Sequence, residues 1–474
     1  MNIAIQSGIA IPRWSNAVRL NVMIEKDQGE PKLNRLRIIH LFEADFNFFL
    51  KLQWGHRLVR RAIDLDLLHD GQHGSISGRM SLNPIMLTQL TTDLCRLLKH
   101  DFVRFDNNTS ACYDRIIIAL AMLAARKCGM PDHAVQAHAD ALFFMQYAVK
   151  TIYGISEENY QGTVFAPLFG TGQGSGGSPV SWLTLVVILL QTLDRIIPDR
   201  INFSSPKGDI SHTRLSDAFV DDTYLEFTSS SDTATFESLV PRLQHIAQTW
   251  EHLLFLSGGK LNLSTCSWYV LRWEWKQGRP VLRPIFPNDP VLSLKQGTSP
   301  EPTLIRRTNL DESQRMLGVL LNPLGDFGDH VKFLQQKADT FAHQIMSPRL
   351  SSGDVRIFHR TTYIPSMRYG LAAVVLDEEI LGRVQSKVVQ SSILRKLQVQ
   401  STIPTAIQHG PAEFGGLDIY DLRTEADLEA LQFLRDAPYS GSENGQLIRL
   451  NLRYSQIEAG IGQSLLANPG IYLS

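Results

Sequence analysis

The run Leu215-Ser216-Asp217-Ala218-Phe219-Val220-Asp221-Asp222-Thr223-Tyr224-Leu225-Glu226-Phe227 sets two adjacent carboxylates between two alternating, largely apolar halves. Alternation at a period of two marks a strand with one buried face. The segment 215–228 therefore predicts a tight hairpin with Asp221 and Asp222 at its tip. Neighbouring carboxylates repel and raise each other's pKa unless a cation neutralises them, and hard divalent ions with oxygen ligands do this well. Taken alone, the pair is also the sequence of a solvated acidic turn, because Asp is common in turns.

Two segments upstream weigh against the bland alternative. Phe169-Gly170-Thr171-Gly172-Gln173-Gly174-Ser175-Gly176-Gly177-Ser178-Pro179 is a glycine-rich loop that runs straight into an apolar stretch ending at Ile196. Small residues let a backbone approach a flat partner, and Pro179 suits the first turn of a buried helix. A flexible linker is seldom followed by so apolar a segment. Further upstream, Phe105-Asp106-Asn107-Asn108-Thr109-Ser110-Ala111-Cys112-Tyr113-Asp114 reads as an acidic strand end entering a helix with an aromatic near its start.

In this order the three pieces resemble motifs A, B and C of reverse transcriptases. The Gln-Gly-x-x-x-Ser-Pro pattern of motif B is matched by Gln173, Gly174, Ser178 and Pro179, and the aromatic-x-Asp-Asp of motif C by Phe219-Val220-Asp221-Asp222. Leu36-Arg37-Ile38 resembles the fingers segment whose Arg meets the triphosphate. Gln72-His73-Gly74-Ser75-Ile76-Ser77-Gly78-Arg79 resembles a segment of retroelement enzymes without long terminal repeats. Leu256-Ser257-Gly258-Gly259-Lys260 is similar to motif D, Met316-Leu317-Gly318-Val319 to the primer grip, and Gly415-Gly416-Leu417-Asp418-Ile419 to a C-terminal run of the same elements. The likeness covers about residues 18–400, and its specificity lies in order and spacing.

The resemblance implies an α+β right-hand polymerase, with fingers and palm (an antiparallel sheet plus helices) and a helical thumb and C-terminal region. It implies fingers and palm over 1–285, a linker over 286–312, a thumb-like region over 313–400 and a helical extension over 401–474. The implied activity is RNA-directed DNA polymerisation by two Mg2+ ions, with Mn2+ as the alternative, about 3.5–4 Å apart. Asp106, Asp221 and Asp222 are the implied metal ligands. Arg37, Tyr113, Gln173 and Lys260 are the implied nucleotide-binding residues, with Lys32 or Arg35 beside Arg37 and Tyr113 as the sugar gate. The implied partners are an RNA template, a DNA primer and deoxynucleoside triphosphates. For Arg37 and Lys260 an exposed surface or turn charge is the competing reading, and for Tyr113 a core aromatic.

Motif A departs from the pattern. The family's catalytic Asp precedes the gate aromatic by five positions, and five before Tyr113 is Asn108; Asp106 lies two positions earlier. Either a bulge lets Asp106 supply the carboxylate, since residues two apart on a strand share a face, or the protein is a weak, decayed copy retained for nucleic-acid binding. An RNA-templated RNA polymerase is a third reading, and Tyr113 opposes it.

Composition discriminates little. The formal net charge of -1 over 474 residues neither supports nor excludes a nucleic-acid partner, because a basic cleft can be masked elsewhere. Cys95, Cys112, Cys128 and Cys266 show no C-x-x-C spacing, so neither a thiolate zinc site nor a disulfide framework is expected, and an intracellular compartment fits, nucleus and cytoplasm being indistinguishable. The histidines show no ligand spacing and read as scattered residues. The N-terminus lacks the pattern of a signal peptide. The apolar run Val180 to Leu190 is too short to span a bilayer, so no membrane partner is expected. Without an endonuclease or RNase H pattern, the chain reads as a piece of a longer element protein or a remnant reading frame.

Overall fold

In the computed structural model, residues 6–16, 18–25, 36–163, 166–229, 235–347, 349–436 and 441–467 are described. Strands β1 (Val18–Glu25), β2 (Leu36–Leu41), β3 (Asp101–Asn108), β4 (Gln146–Thr151), β5 (Ser216–Phe219), β6 (Asp222–Ser229), β7 (Ser267–Leu271) and β8 (Arg306–Arg307) belong to two sheets. The first runs β2-β1-β4 and continues into short strands; the second has the order β8-β7-β3-β6-β5. The α+β architecture expected from the sequence is the one observed. Lys32, Arg35 and the expected turn at Gly29-Glu30-Pro31 lie outside the described residues.

β3 is the central strand, and most of its residues are buried, as a strand covered on both faces requires. It pairs antiparallel with β6 from Asp101 opposite Ser229 to Asn108 opposite Asp222. On its other side it pairs with β7, with Asp106 opposite Ser267.

Helices α1 (Leu82–Leu98), α2 (Cys112–Arg115), α3 (Ile118–Lys127), α4 (Ser178–Ile196) and α5 (Phe236–Leu256) surround this sheet. Val103, Phe105, Leu225 and Phe227 on one face share a core with Trp182, Val186 and Leu190 of α4 and Leu243 and Trp250 of α5. On the other face Phe102, Tyr269 and Leu271 pack with Leu87 and Leu94 of α1. By length and composition α4 is long and apolar enough to cross a membrane, longer than the Val180–Leu190 run suggested. Yet 61% of its apolar window is buried inside the protein, as befits a core helix.

Three sequence expectations need correction. The spacing of Ile117, Leu120, Ala121 and Ala124 predicts one helix over 112–128, but the segment splits into α2 and α3, because Ile116 turns to an extended conformation and the Ile117 N–H donates to the Ser257 carbonyl, 3.1 Å away. The aromatic-rich run Trp268–Trp275 predicts one strand, but it breaks at Arg272, where Asp101 accepts from both the Arg272 guanidinium and the Trp273 N–H. The stretch 286–312, expected as a linker, is packed: Leu292, Leu294 and Ile305 lie in the main core, and β8 pairs with β7. Its prolines and polar residues build irregular backbone on the palm rather than a free connection.

Helices α6 (Gly328–Ile345), α7 (Glu378–Val388) and α8 (Leu422–Asp436) contribute to a second core that joins Leu334, Tyr363, Val384, Ile393 and Leu422. The last helix, α9 (Glu443–Glu458), returns to the palm, where Leu447 and Leu450 pack with Leu87, Leu94 and Phe203.

The free edge of β5 is covered by the segment 71–74. The Ala218 N–H donates to the Gly71 carbonyl at 2.7 Å, and the His73 N–H to the Ala218 carbonyl at 2.9 Å. Arg79 ties this segment into a loop by donating to the Asp70 and Gln72 carbonyls, each at 2.6 Å. Any Cβ on Gly71 would stand 2.0 Å from the Ser216 carbonyl oxygen, so only glycine lets the segment lie this close. Gly71→Ala is expected to destabilise the fold by about 1–3 kcal/mol through forced separation of the segment from β5. A denaturant titration showing a lowered midpoint checks this; an unchanged midpoint refutes the close approach.

Candidate functional site

β5 and β6 are joined by Val220 and Asp221 alone, since Phe219 faces Asp222 across the hairpin. Val220 has φ of 58°, a left-handed conformation that a β-branched residue resists. Such a residue costs about 1–3 kcal/mol and persists only when its surroundings enforce it. Here the Trp182 indole N–H donates to the Val220 carbonyl, and the Thr109 N–H donates to the Asp221 carbonyl at 2.8 Å. Gly74 lies so close to Val220 that a Cβ would stand 2.6 Å from its nitrogen. Three separate segments thus hold the two carboxylates at the tip.

Asn108, not Asp106, faces them. Its Nδ2 donates to Asp222 Oδ1 at 2.8 Å and stands 3.4 Å from Asp221 Oδ2. The β3–β6 register runs without a bulge, so Asp106 sits opposite Tyr224, about 7 Å further down the strand. There it accepts from Arg104 Nε at 2.7 Å. Asp106, expected as a metal ligand, is thus bonded to Arg104 rather than to the tip pair, and lines a cavity of about 420 Å³ together with Asn108 and Asp222. Asp106 and Asp222 are both pushed above the usual carboxylate range by burial. Arg104 opposes the shift at Asp106; at Asp222 the Asn108 hydrogen bond opposes it and the charge of Asp221 adds to it.

This donor set does not fit a pair of Mg2+ ions. Two carboxylates and a neutral amide, whose oxygen can face the tip if the group turns over, carry a charge of two rather than three. They suit one divalent cation with oxygen ligands and lack the third carboxylate that would bridge a second.

A cavity of about 820 Å³ opens beside the tip and is lined by Asn108, Tyr113, Asp114, Gln173 and Asp221, with Ile38 and Phe169 at its walls. Tyr113 lies in α2, which begins after Ala111 in a left-handed conformation. Its carbonyl accepts the Thr171 N–H at 2.8 Å, so the glycine-rich loop is laid against α2. Ser178 Oγ donates to the Thr171 and Gly172 carbonyls, each at 2.8 Å, and closes the loop on α4. The loop's small residues serve an approach to protein backbone: a Cβ on Gly174 would stand 2.4 Å from the His40 carbonyl of β2. The Gln173 side chain reaches the cavity with its Oε1 buried and unpartnered.

Arg37 sits on β2 opposite Ile24. Lys260 accepts the Ser110 N–H through its carbonyl, but its side chain is exposed. Arg360 is paired with Asp418, while Arg356 is exposed. The sequence gives no sign that Asp114 is a cavity residue: a carboxylate beside Tyr113 in the first turn of a helix reads as a helix-start charge, and it occupies that position, yet its Oδ1 is buried without a partner and burial raises its pKa.

Under the tip lies a chain of buried charge. Arg104 donates to Asp106, to Thr88 Oγ1 at 2.6 Å and to Glu226 Oε1 at 2.5 Å, and stacks over Tyr224 with its guanidinium carbon 4.7 Å from the ring centre. Arg214 holds the other Glu226 oxygen at 2.6 Å and pairs with Asp217. Arg104→Met would leave Asp106 and Glu226 without their shared cation; the expected cost is about 3–5 kcal/mol. Equilibrium denaturation measures it, and a loss under about 1 kcal/mol would contradict the buried pairing.

No family model and no curated protein matches the chain. Among solved structures it is similar to telomerase from Candida albicans in complex with a TWJ fragment of telomeric RNA, at 11% identity and a TM-score of 0.46, covering 96% of this chain and 64% of that one. It is similar to telomerase from Candida tropicalis with such a fragment, at 12% identity and a TM-score of 0.40, over 97% of this chain and 65% of that one. Apo telomerase from Candida tropicalis matches at 11% identity and a TM-score of 0.39, over 96% and 70%. The chain thus spans 64–65% of the length of the two RNA-bound chains.

Proposed function

We propose that the chain is a reverse-transcriptase-like domain that binds an RNA template, a DNA primer and a deoxynucleoside triphosphate, and that Asn108 holds down its nucleotidyl transfer. The observation that carries this reading is the meeting of Tyr113, Gln173, Asn108 and Asp221 on one cavity, although they come from three separate sequence motifs. An origin in a retroelement without long terminal repeats, and an intracellular place of action, go with the same motifs.

In this reading the Tyr113 ring limits the space beside the ribose and disfavours a 2′-hydroxyl. The Gln173 amide, with its oxygen unpartnered, contacts the incoming nucleotide. Arg37 and Lys260 approach the phosphates. Asp221 and Asp222 hold a single Mg2+ or Mn2+, whose contribution when bound is Lewis-acid charge at a phosphoryl oxygen. The primer 3′-hydroxyl attacks the alpha phosphate and pyrophosphate leaves, slowly, because the third carboxylate is an amide.

A second reading, a polymerase relic kept for binding nucleic acid, is favoured by the Asn108 amide satisfying the Asp222 carboxylate without a cation. Primer extension on poly(rA)/oligo(dT) with Mg2+ separates the two. Under the first, the wild type extends weakly, Asp221→Asn abolishes extension, and Asn108→Asp raises it by about 10–100-fold, about 1.4–2.7 kcal/mol off the barrier. Extension that survives Asp221→Asn unchanged would sink the site. Salt-dependent binding of the duplex with no extension in either the wild type or Asn108→Asp supports the relic.

A further inference from the structure

We infer that His73, Asp217 and Glu443 form a metal site, separate from the hairpin tip, that takes one Zn2+ ion and fastens α9 to the strand carrying that tip. Among the described residues, one ligand atom from each of the three comes within 4.8 Å of the others. They belong to three elements: the segment on the edge of β5, β5 itself, and the first turn of α9.

The site is built rather than incidental. His73 is 5% exposed and Asp217 fully buried, with His73 Nε2 3.2 Å from Asp217 Oδ1. Arg214 pairs with Asp217 through Oδ2, which leaves Oδ1 turned toward the imidazole. Glu443 Oε2 is cut off from solvent and has no hydrogen-bond partner, so one carboxylate oxygen stands buried and unanswered.

Charge points the same way. The buried network sets Asp106, Asp217, Glu226 and Glu443 against Arg104 and Arg214. With all six ionised, two negative charges remain uncompensated in a low-dielectric region, which is costly unless a cation answers them. A divalent ion cancels that excess.

One imidazole and two carboxylates form a nitrogen–oxygen donor set that suits Zn2+, with Mn2+ as the harder competitor. A cavity of about 1100 Å³ touches His73 and Glu443, so water completes the coordination from that side. The ion would join residues 73, 217 and 443, adding to the apolar packing of α9, its His212–Gln446 contact of 3.1 Å, and the hydrogen bonds that Asn451 and Tyr454 donate to the Leu90 and Ser204 carbonyls.

The test uses the full chain, stripped with a chelator and titrated with Zn2+ alone, followed by calorimetry and elemental analysis after desalting. One ion per chain and a raised melting temperature are expected. Glu443→Gln and His73→Asn should each weaken binding by at least about 100-fold, a loss of ligation rather than of its support, and remove the thermal shift while keeping the wild-type circular dichroism. The double variant Asp221→Asn, Asp222→Asn should keep the ion, which separates this site from the tip. No tight ion in the wild type, unaltered binding by Glu443→Gln, or loss of the ion in the double variant overturns the assignment. Should the ligand variants misfold, X-ray absorption of the Zn2+-loaded wild type decides: one imidazole among oxygen donors is expected, and a sulfur shell or no imidazole overturns it.

Discussion

The antiparallel ladder between β3 and β6 is the constraint on which the rest of the site depends. Eight consecutive pairs, from Asp101–Ser229 to Asn108–Asp222, leave no freedom at the tip. A slip of one residue would flip one strand, setting a charged Arg104 or Glu226 among the apolar residues that now surround Phe105 and Leu225. The identity of the group beside Asp221 and Asp222 is therefore decided by the packing of the whole sheet, and that group is an amide.

The buried charges enforce this register from below. Asp106, Arg104, Glu226 and Arg214 are linked in that order beneath the tip, each bonded to the next in this alignment. Asp106 is thus committed to Arg104 by the same ladder that brings Asn108 to the tip. The strained Val220 turn is affordable because α4, the 71–74 segment and the end of β3 all grip it. These links fix the tip from three sides.

Much of the fold was legible along the chain. The hairpin at Asp221–Asp222, the glycine-rich loop opening α4 and the amphipathic α5 were all signalled by local periodicity and turn chemistry. The failures share a cause: tertiary contacts overrode local pattern. The apolar spacing of 112–128 reads as one helix, yet Ile117 is claimed by the backbone at Ser257. The prolines of 286–312 read as a linker, yet Leu292, Leu294 and Ile305 are drawn into the core. Asp114 and Asp106 were seen as charges, but whether each faces solvent, a cavity or an arginine depends on neighbours far away in sequence.

The sequence by itself determined the adjacent carboxylates, the order of the three motifs and the five-residue spacing that put Asn108 in question, because these are properties of neighbours along the chain. Only the tertiary structure decided that no bulge rescues Asp106, since strand register is a property of two paired segments. It alone gathered His73, Asp217 and Glu443, which lie 144 and 226 positions apart and carry no spacing that a sequence could display. Local patterns write themselves into a chain; a cluster assembled by a sheet edge, a strand and a returning helix exists only once the chain has folded.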